Sequence, residues 1–180
     1  MQQVRAALAV IVAAALSLAG SATAATAEEQ TATCETGPVM SGPGPADWRQ
    51  RAVVAGPIAV FKQPLEQMTE TGGGQLVAKM PVLTIGHRPV TLSVPPRLRH
   101  RVFLYYGFHQ GPDGTRTTSI RGFPGYGEIE FHPCTNRPRT PWPGAIRVKG
   151  RSPVHLDVIV TGEPAVQLPL GRPRPYEPGD

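Results

Sequence analysis

The residues best suited to chemistry are carboxylates and imidazoles that alternate along two short segments. In GEIEFH, the alternating side chains of a strand place Glu128, Glu130 and His132 on one face. In VHLDV, His155 and Asp157 share a face in the same way. If the two strands pair, these groups form a site for a hard or borderline metal ion, or an acid–base pair. The same alternation is typical of an ordinary sheet with one solvated face.

A second set of residues is basic and suits the binding of a polyanion. Guanidinium groups bind phosphates and carboxylates, and an indole ring offers a flat surface to a sugar. We expect Arg99 and Arg101 to face solvent. The alternative is a solvated rim, where long arginine stems cover apolar surface at the start of a strand. The predicted binding residues are Arg97, Arg99, Arg101, Arg137, Arg139 and Trp142.

The connection between Gly107 and Gly127 is a third candidate because it is long and rich in glycine, aromatic residues and arginine. Its rings suit stacking on the sugars of an acidic polymer. They equally suit a loop that folds onto its own hydrophobic patch. Residues 115–120 are predicted to form a short extra strand, with a turn at residues 112–114.

The amino terminus predicts export. Arg5 precedes an apolar run over residues 6–19, which is followed by small residues typical of cleavage sites after Ala24 or Ala27. We therefore expect a signal peptide at residues 1–24, a secreted or cell-wall-associated protein, and no transmembrane segment after cleavage. In an oxidising compartment, Cys34 and Cys134 are expected to form a disulfide.

Short apolar segments separated by glycine and proline predict an all-β fold, a single-domain β-sandwich of about 7–9 short strands with at most one short helix. The helix is expected at residues 64–71, between a proline and three glycines. Residues 86–88 are expected to be a hairpin turn, and Pro95 and Pro96 to break a strand where the chain crosses between sheets. The predicted strands are 53–55, 58–61, 76–85, 89–94, 100–106, 128–132, 145–149, 154–161 and 166–168.

These elements divide the chain into four predicted parts. The signal peptide is followed by a flexible segment at residues 25–46, pinned at one point by Cys34. The sandwich domain covers residues 47–168. The proline-rich residues 169–180 are expected to form an extended tail.

Several short motifs occur together in this order. They are VTLSVPP at residues 90–96, FHPC at 131–134, RTPWPG at 139–144 and VKGRSPVHLDV at 148–158. The combination resembles a family of small secreted actinobacterial proteins with no assigned activity, over residues 34–171. The resemblance implies an exported protein of the cell envelope or the medium, and it supplies no catalytic residues.

Common catalytic motifs are missing from the sequence: there is no nucleophile elbow, no phosphate-binding loop and no HExxH zinc motif. The formal net charge of +5 is weak support for an anionic partner. We expect a secreted, non-catalytic binding or structural module of the cell envelope that contacts an anionic glycan. We expect no cofactor and no specific nucleic-acid partner. The alternative is a small extracellular hydrolase or metal-dependent enzyme that uses the Glu/His/Asp cluster.

Overall fold

The computed structural model describes residues 29–35, 47–61, 65, 67–71, 73–110 and 115–176. Within these ranges the chain forms fifteen strands, one short α-helix, α1 (Trp48–Arg51), and a 3₁₀ turn at Pro96–Leu98. The strands are β1 (Glu29–Thr33), β2 (Ala52–Ala55), β3 (Ile58–Phe61), β4 (Thr69–Thr71), β5 (Gln75–Lys79), β6 (Val82–Ile85), β7 (Val90–Ser93), β8 (Val102–Tyr106), β9 (His109–Gln110), β10 (Arg116–Thr117), β11 (Glu128–His132), β12 (Arg139–Trp142), β13 (Gly144–Lys149), β14 (Val154–Ile159) and β15 (Val166–Gly171).

The strands form three main sheets. The five-stranded sheet has the order β1-β11-β7-β14-β15, in which only β1 and β11 are parallel. The two four-stranded sheets have the orders β12-β6-β3-β2 and β4-β5-β13-β8. Strands β9 and β10 make a separate two-stranded ribbon. The predicted all-β sandwich is confirmed, although it contains more and shorter strands than the pattern suggests.

One bent antiparallel ribbon connects the two four-stranded sheets. Strand β5 pairs with β13, and their continuations β6 and β12 pair with each other in the neighbouring sheet. The bend lies at Pro81, which has no N–H for a sheet ladder, and the amide of Met80 bonds the carbonyl of Gly144 across it at 2.9 Å. The alternation over residues 76–85 thus predicts the strand correctly but hides its division between two sheets.

The core lies where the three sheets meet. Phe131 of the five-stranded sheet packs edge-on against Tyr106, with ring centroids 5.3 Å apart, and its ring lies 5.4 Å from that of Trp142. All three side chains are almost completely buried. Aromatic pairs in this geometry stabilise a core beyond the area they bury. A smaller apolar cluster lies on the outer face of β3 and β6, where Trp48 of α1 covers Ala59 and Leu83.

Two local predictions are wrong. Residues 69–71 are strand β4, paired with β5, rather than part of a helix at 64–71; the short helix is α1. Pairing at a sheet edge suits the β-branched Thr69 and Thr71 better than a helix does. Residues 86–88 do not close a hairpin, because β6 and β7 belong to different sheets. The predicted crossing at Pro95 and Pro96 is confirmed, since β7 and β8 also lie in different sheets.

The ends of the described chain are more ordered than the pattern predicts. Residues 29–33, expected in a flexible segment, form the edge strand β1. The expected tail contains the last part of β15, and the amide of Tyr176 bonds the carbonyl of Met68 at 2.8 Å. Residues 25–28, 36–46 and 177–180 lie outside the described part. No helix in the described ranges is long and apolar enough to cross a membrane.

The predicted disulfide is confirmed. Cys34 bonds Cys134, with their Cα atoms 5.3 Å apart and one hundred residues between them in sequence. The two cysteines follow β1 and β11, which are parallel neighbours, so the bond fastens the first strand to the sheet at its carboxyl end.

Reduction of this bond is therefore expected to lower the free energy of unfolding by about 2–4 kcal/mol, because the unfolded chain regains the freedom of a long loop. Urea unfolding with and without a reductant measures the change. The double variant Cys34→Ser/Cys134→Ser should behave as the reduced protein does. Coincident unfolding curves for oxidised and reduced protein would contradict the expectation.

Candidate functional site

A groove lies on the outer face of the sheet β4-β5-β13-β8. Strand alternation points Val77 and Lys79 of β5 outward, and register places Ala145 of β13 between Lys79 and Tyr105 of β8. The groove has a volume of about 730 Å³. This volume lies within the usual range of small-molecule sites, and the small side chain of Ala145 leaves the floor flat.

The described residues that line the groove are rich in hydroxyl groups and include no carboxylate. The ammonium group among them is that of Lys79, which is exposed. His109 contributes an imidazole that is 8% exposed. Hydroxyls both donate and accept hydrogen bonds, so this wall can satisfy a ligand with many hydroxyls of its own. The hydroxyl-bearing residues that line the groove are Thr69, Thr71, Tyr105, Thr118 and Ser119.

The loop after β8 forms one wall of the groove and is held in place by aromatic contacts. The imidazole of His109 stacks on Phe123, with ring centroids 3.9 Å apart. The hydroxyl of Tyr105 lies within hydrogen-bonding distance of the carbonyls of Phe123 and Pro124, at 3.3 and 3.2 Å. A Cβ atom at Gly125 would lie 2.7 Å from the Tyr105 ring, so only glycine allows this approach.

Both interpretations of this loop therefore have support in the structure: it folds onto its own aromatic patch and also lines the groove. The extra strand predicted at residues 115–120 is present as the two-residue β10. The predicted turn at residues 112–114 lies outside the described part of the chain.

Basic side chains continue along the same sheet face beyond the groove. The guanidinium carbon of Arg147 lies 4.9 Å from the centre of the Phe103 ring and 5.2 Å from that of Tyr105. Its Nη2 donates to the carbonyl of Pro124 at 2.6 Å, which further fixes the loop. The ammonium of Lys149 lies 5.6 Å from the centre of the Phe103 ring. The face therefore carries cations on β5 and β13, beside the aromatic rings of β8.

Two neighbouring tyrosines have raised pKa values for the same physical reason. Burial raises the pKa of Tyr105 to about 12, and the positive charge of Arg147 opposes this rise. Complete burial raises the pKa of Tyr106 well above its ordinary value. Both phenols are therefore neutral hydrogen-bonding groups at physiological pH.

The arginines predicted as one basic surface do not form one. In the antiparallel pairing of β7 and β11, Ser93 is opposite Glu128 and Val90 is opposite Phe131. The chain therefore leaves β7 toward Arg97 near the amino end of β11. Cys134 follows the carboxyl end of β11. Arg97, Arg99 and Arg101 follow the first end. Arg137 and Arg139 follow Cys134, beyond the second.

Trp142 is also not available to a ligand, because it is 1% exposed and its Nε1 donates to the hydroxyl of Thr84 at 3.0 Å. Its predicted stacking role is therefore wrong, and its ring is instead part of the core.

The arginines beside β7 hold the backbone together. Arg101 donates to the carbonyls of Lys149, Ser152 and Pro153, at 3.3, 3.2 and 2.8 Å. Arg99 donates to the carbonyl of Val94 at 3.1 Å and lies 3.4 Å from the carboxylate of Glu128. Arg97 lies 3.0 Å from the imidazole of His155. The expectation that Arg99 and Arg101 simply face solvent is corrected accordingly.

The carboxylates and imidazoles of β11 and β14 do not converge. Strand β7 lies between the two strands, so Glu128 and Asp157 are both opposite Ser93 and on different sides of it. Glu128 accepts a hydrogen bond from Ser93 at 2.9 Å, and Glu130 pairs with His132 at 3.0 Å. No group of three or more His, Cys, Asp or Glu residues in the described ranges could hold a metal ion. The predicted site of Glu128, Glu130, His132, His155 and Asp157 is therefore wrong.

The sequence pattern indicates the part of the groove that lies in the connection after Gly107, but it does not indicate the strand residues of the groove as a site. Lys79 lies in QLVAKM, whose alternation does predict an outward side chain. The hydroxyls of β4 come to the groove by a pairing that the sequence pattern does not show, since residues 64–71 resemble a helix.

Comparison with known proteins adds little to this geometry. No protein-family model matches the chain, and no curated protein matches it. One solved structure, named apo PmoF2 PCuAC domain, is similar over 69% of this chain and 95% of that chain, with 16% sequence identity and a TM-score of 0.38. Similarity at this level supports no transfer of properties to this chain.

The contacts of Arg101 predict a structural role that can be measured. Replacing it with serine should lower the free energy of unfolding by about 1–2 kcal/mol, because hydrogen bonds from a charged donor are lost at a partly exposed site. Arg151→Ser, at an exposed position nearby in sequence, should change stability by less than about 0.5 kcal/mol. Chemical unfolding of both variants is the measurement, and equal stability would contradict the role.

The raised pKa of Tyr105 predicts a loss of stability at high pH. In the unfolded chain the phenol ionises near its ordinary value of 10.0, whereas in the folded protein it stays neutral up to about pH 12. Ionisation thus favours the unfolded state, and the free energy of unfolding should be steady below about pH 9 and fall from about pH 10 to 12.

Tyrosinate absorbance and unfolding curves measured across this pH interval test the expectation. Tyr105→Phe should make the fall shallower. Ionisation of Tyr105 near its ordinary value of 10.0 would refute the expectation.

Proposed function

We propose that the protein is an exported, non-catalytic binding module and that its groove on the sheet β4-β5-β13-β8 binds a segment of an anionic cell-envelope glycan. The observation that carries the proposal is the lining of this groove: several hydroxyls and the Lys79 ammonium around a flat floor, with no carboxylate among the lining residues that the structure describes. The disulfide suits an oxidising compartment outside the cytoplasm.

The shape and polarity of the groove favour a saccharide. Sugars present hydroxyls at the edge of each ring and C–H groups on its faces. The threonine and serine hydroxyls of the walls can bond the sugar hydroxyls, and the apolar floor of Val77, Ala145 and Pro143 can pack against the C–H groups of the ring face. A peptide strand lying on the floor would instead need unpaired backbone groups there. The main-chain groups of β13 are already paired on both sides.

The charges favour an anionic saccharide over a neutral one. Lys79 is exposed in the groove, and Arg147 and Lys149 carry positive charge along the same face. Within the described part of the lining, an anion held there meets no acidic residue that repels it. Its attraction should weaken as salt rises, because exposed charges are screened over about 10 Å at 0.1 M ionic strength.

The contacts of His109 favour binding over catalysis. It is the imidazole of the groove, and its Nε2 already bonds the carbonyl of Ser119 while its ring stacks on Phe123. A general base needs a nitrogen within hydrogen-bond reach of the substrate, and an imidazole that is 8% exposed gives a ligand little access to its nitrogens. Here the ring instead supports the loop that forms the wall.

The proposal predicts that Lys79 determines affinity. Lys79→Gln should weaken binding of a glycerol-phosphate polymer and of polygalacturonate about tenfold, the effect of losing one charge-assisted hydrogen bond. Lys149→Gln is the matched control, on the same sheet face but outside the groove lining, and should cost less than about threefold. Titration calorimetry at low and moderate salt measures both, with dextran as the neutral control.

A second variant tests the groove without changing charge. Ala145→Trp places a large ring on the groove floor at a strand position that tolerates aromatic residues, and it should abolish binding. If Lys79→Gln and Ala145→Trp bind as the wild type does, or if dextran binds equally well, the proposed function is wrong.

A further inference from the structure

A second groove lies on the outer face of the sheet β12-β6-β3-β2. It has a volume of about 590 Å³ and is lined by Trp48, Arg49, Gln50, Ile85, Pro138 and Arg139. The guanidinium carbons of Arg49 and Arg139 lie 5.2 and 5.8 Å from the centre of the same Trp48 ring. Two cations are therefore gathered around one indole.

The charges of this groove are not balanced by the part of the chain that the structure describes. Asp47, the acidic residue beside the groove, pairs with Arg51 at 3.9 Å rather than with Arg49. No described carboxylate forms an ion pair with Arg49 or Arg139. Like charges held close together repel each other, and an anion bound between them relieves that repulsion. Guanidinium groups suit this role because they donate to phosphate or carboxylate in pairs.

Both grooves lie on the outer side of the same bent ribbon. Arg139 is opposite Ile85, and Ala145, farther along the ribbon, is opposite Lys79. Residues 139, 141, 143 and 145 alternate with the inward side chains, which places them on the outer side on both sides of the bend. Arg139 and Ala145 are six positions apart in the sequence, which corresponds to about 20 Å along the strand. A flexible chain that follows the ribbon around its bend can therefore reach from one groove to the other.

We infer that Arg49 and Arg139 form a second subsite, which binds an anionic group of the same glycan chain a few sugars away from Lys79. This inference rests on the proposed function for the identity of the ligand. Its consequence is a dependence of affinity on chain length, because the second contact becomes intramolecular once the first has formed. A short oligomer occupies one subsite, whereas a long one occupies both.

The test uses a galacturonate disaccharide and octasaccharide with the full-length protein. The octasaccharide should bind the wild type at least about tenfold more tightly than the disaccharide, since linked contacts raise affinity strongly. Arg49→Gln/Arg139→Gln should remove most of this gain. The control Arg151→Gln/Arg172→Gln removes the same net charge at exposed positions. This control should retain the gain in affinity for the octasaccharide.

The outcomes separate the two proposals. If the disaccharide and the octasaccharide bind with equal affinity, and Lys79→Gln weakens both, the second subsite is overturned and the proposed function of the first groove remains supported. If octasaccharide binding is unchanged in Lys79→Gln but lost in Arg49→Gln/Arg139→Gln, the proposed function of the first groove is overturned and the arginine site remains supported. An equal loss in the control variant would overturn the subsite. If the double variant unfolds, Arg139→Gln alone carries the same comparison.

Discussion

The bent ribbon formed by β5–β6 and β12–β13 is the constraint on which the rest of the molecule depends. Its strands belong to two sheets, and side-chain alternation continues across the bend at Pro81. Inward residues such as Ile146 and Trp142 meet Phe131 of the opposite sheet and complete the core. Outward residues line both grooves. The same backbone geometry therefore determines the packing of the interior and the spacing of the candidate subsites.

The adjacent Tyr105 and Tyr106 show how closely the core and the groove are coupled. Tyr106 points inward, where its hydroxyl donates to the carbonyl of Met80 at the bend. Its ring crosses Gly144 so closely that a Cβ atom there would lie 2.1 Å away. Tyr105 points outward and holds the loop that forms the groove wall. A change at the bend must therefore disturb the floor and the wall together.

Much of the fold could be predicted from the sequence, because alternation is a local property. It indicates the strands at Val90–Ser93, Glu128–His132 and Val154–Ile159 and the faces they present. Strand order is not local, so the pattern could not show that β7 lies between β11 and β14. The prediction of a Glu/His/Asp cluster is wrong for this reason. Within each strand the predicted side chains do share a face, but β7 separates β11 from β14.

The prediction of Trp142 as a binding residue is wrong for a different reason, because strand alternation already indicates that its side chain points inward. Arg139 and Trp142 are an odd number of positions apart on one strand, so they must point to opposite faces. The ring that does lie near Arg139 is that of Trp48, which is far away in sequence and reaches it through α1. Its proximity depends on tertiary packing against β3 and β6, which no local pattern predicts.

The partners of each cation, more than the number of cations, determine what this basic surface can bind. Arg101 and Arg99 are oriented by carbonyls and a carboxylate of their own chain, and a ligand would have to compete with these contacts. Lys79 and Arg139 have no described carboxylate partner and lie in grooves. The proposed subsites therefore use the second pair, whose cations are not held by an ion pair within the described part of the chain. The arginines at residues 97–101 serve the fold, and the proposal assigns binding to the cations on the outer side of the ribbon.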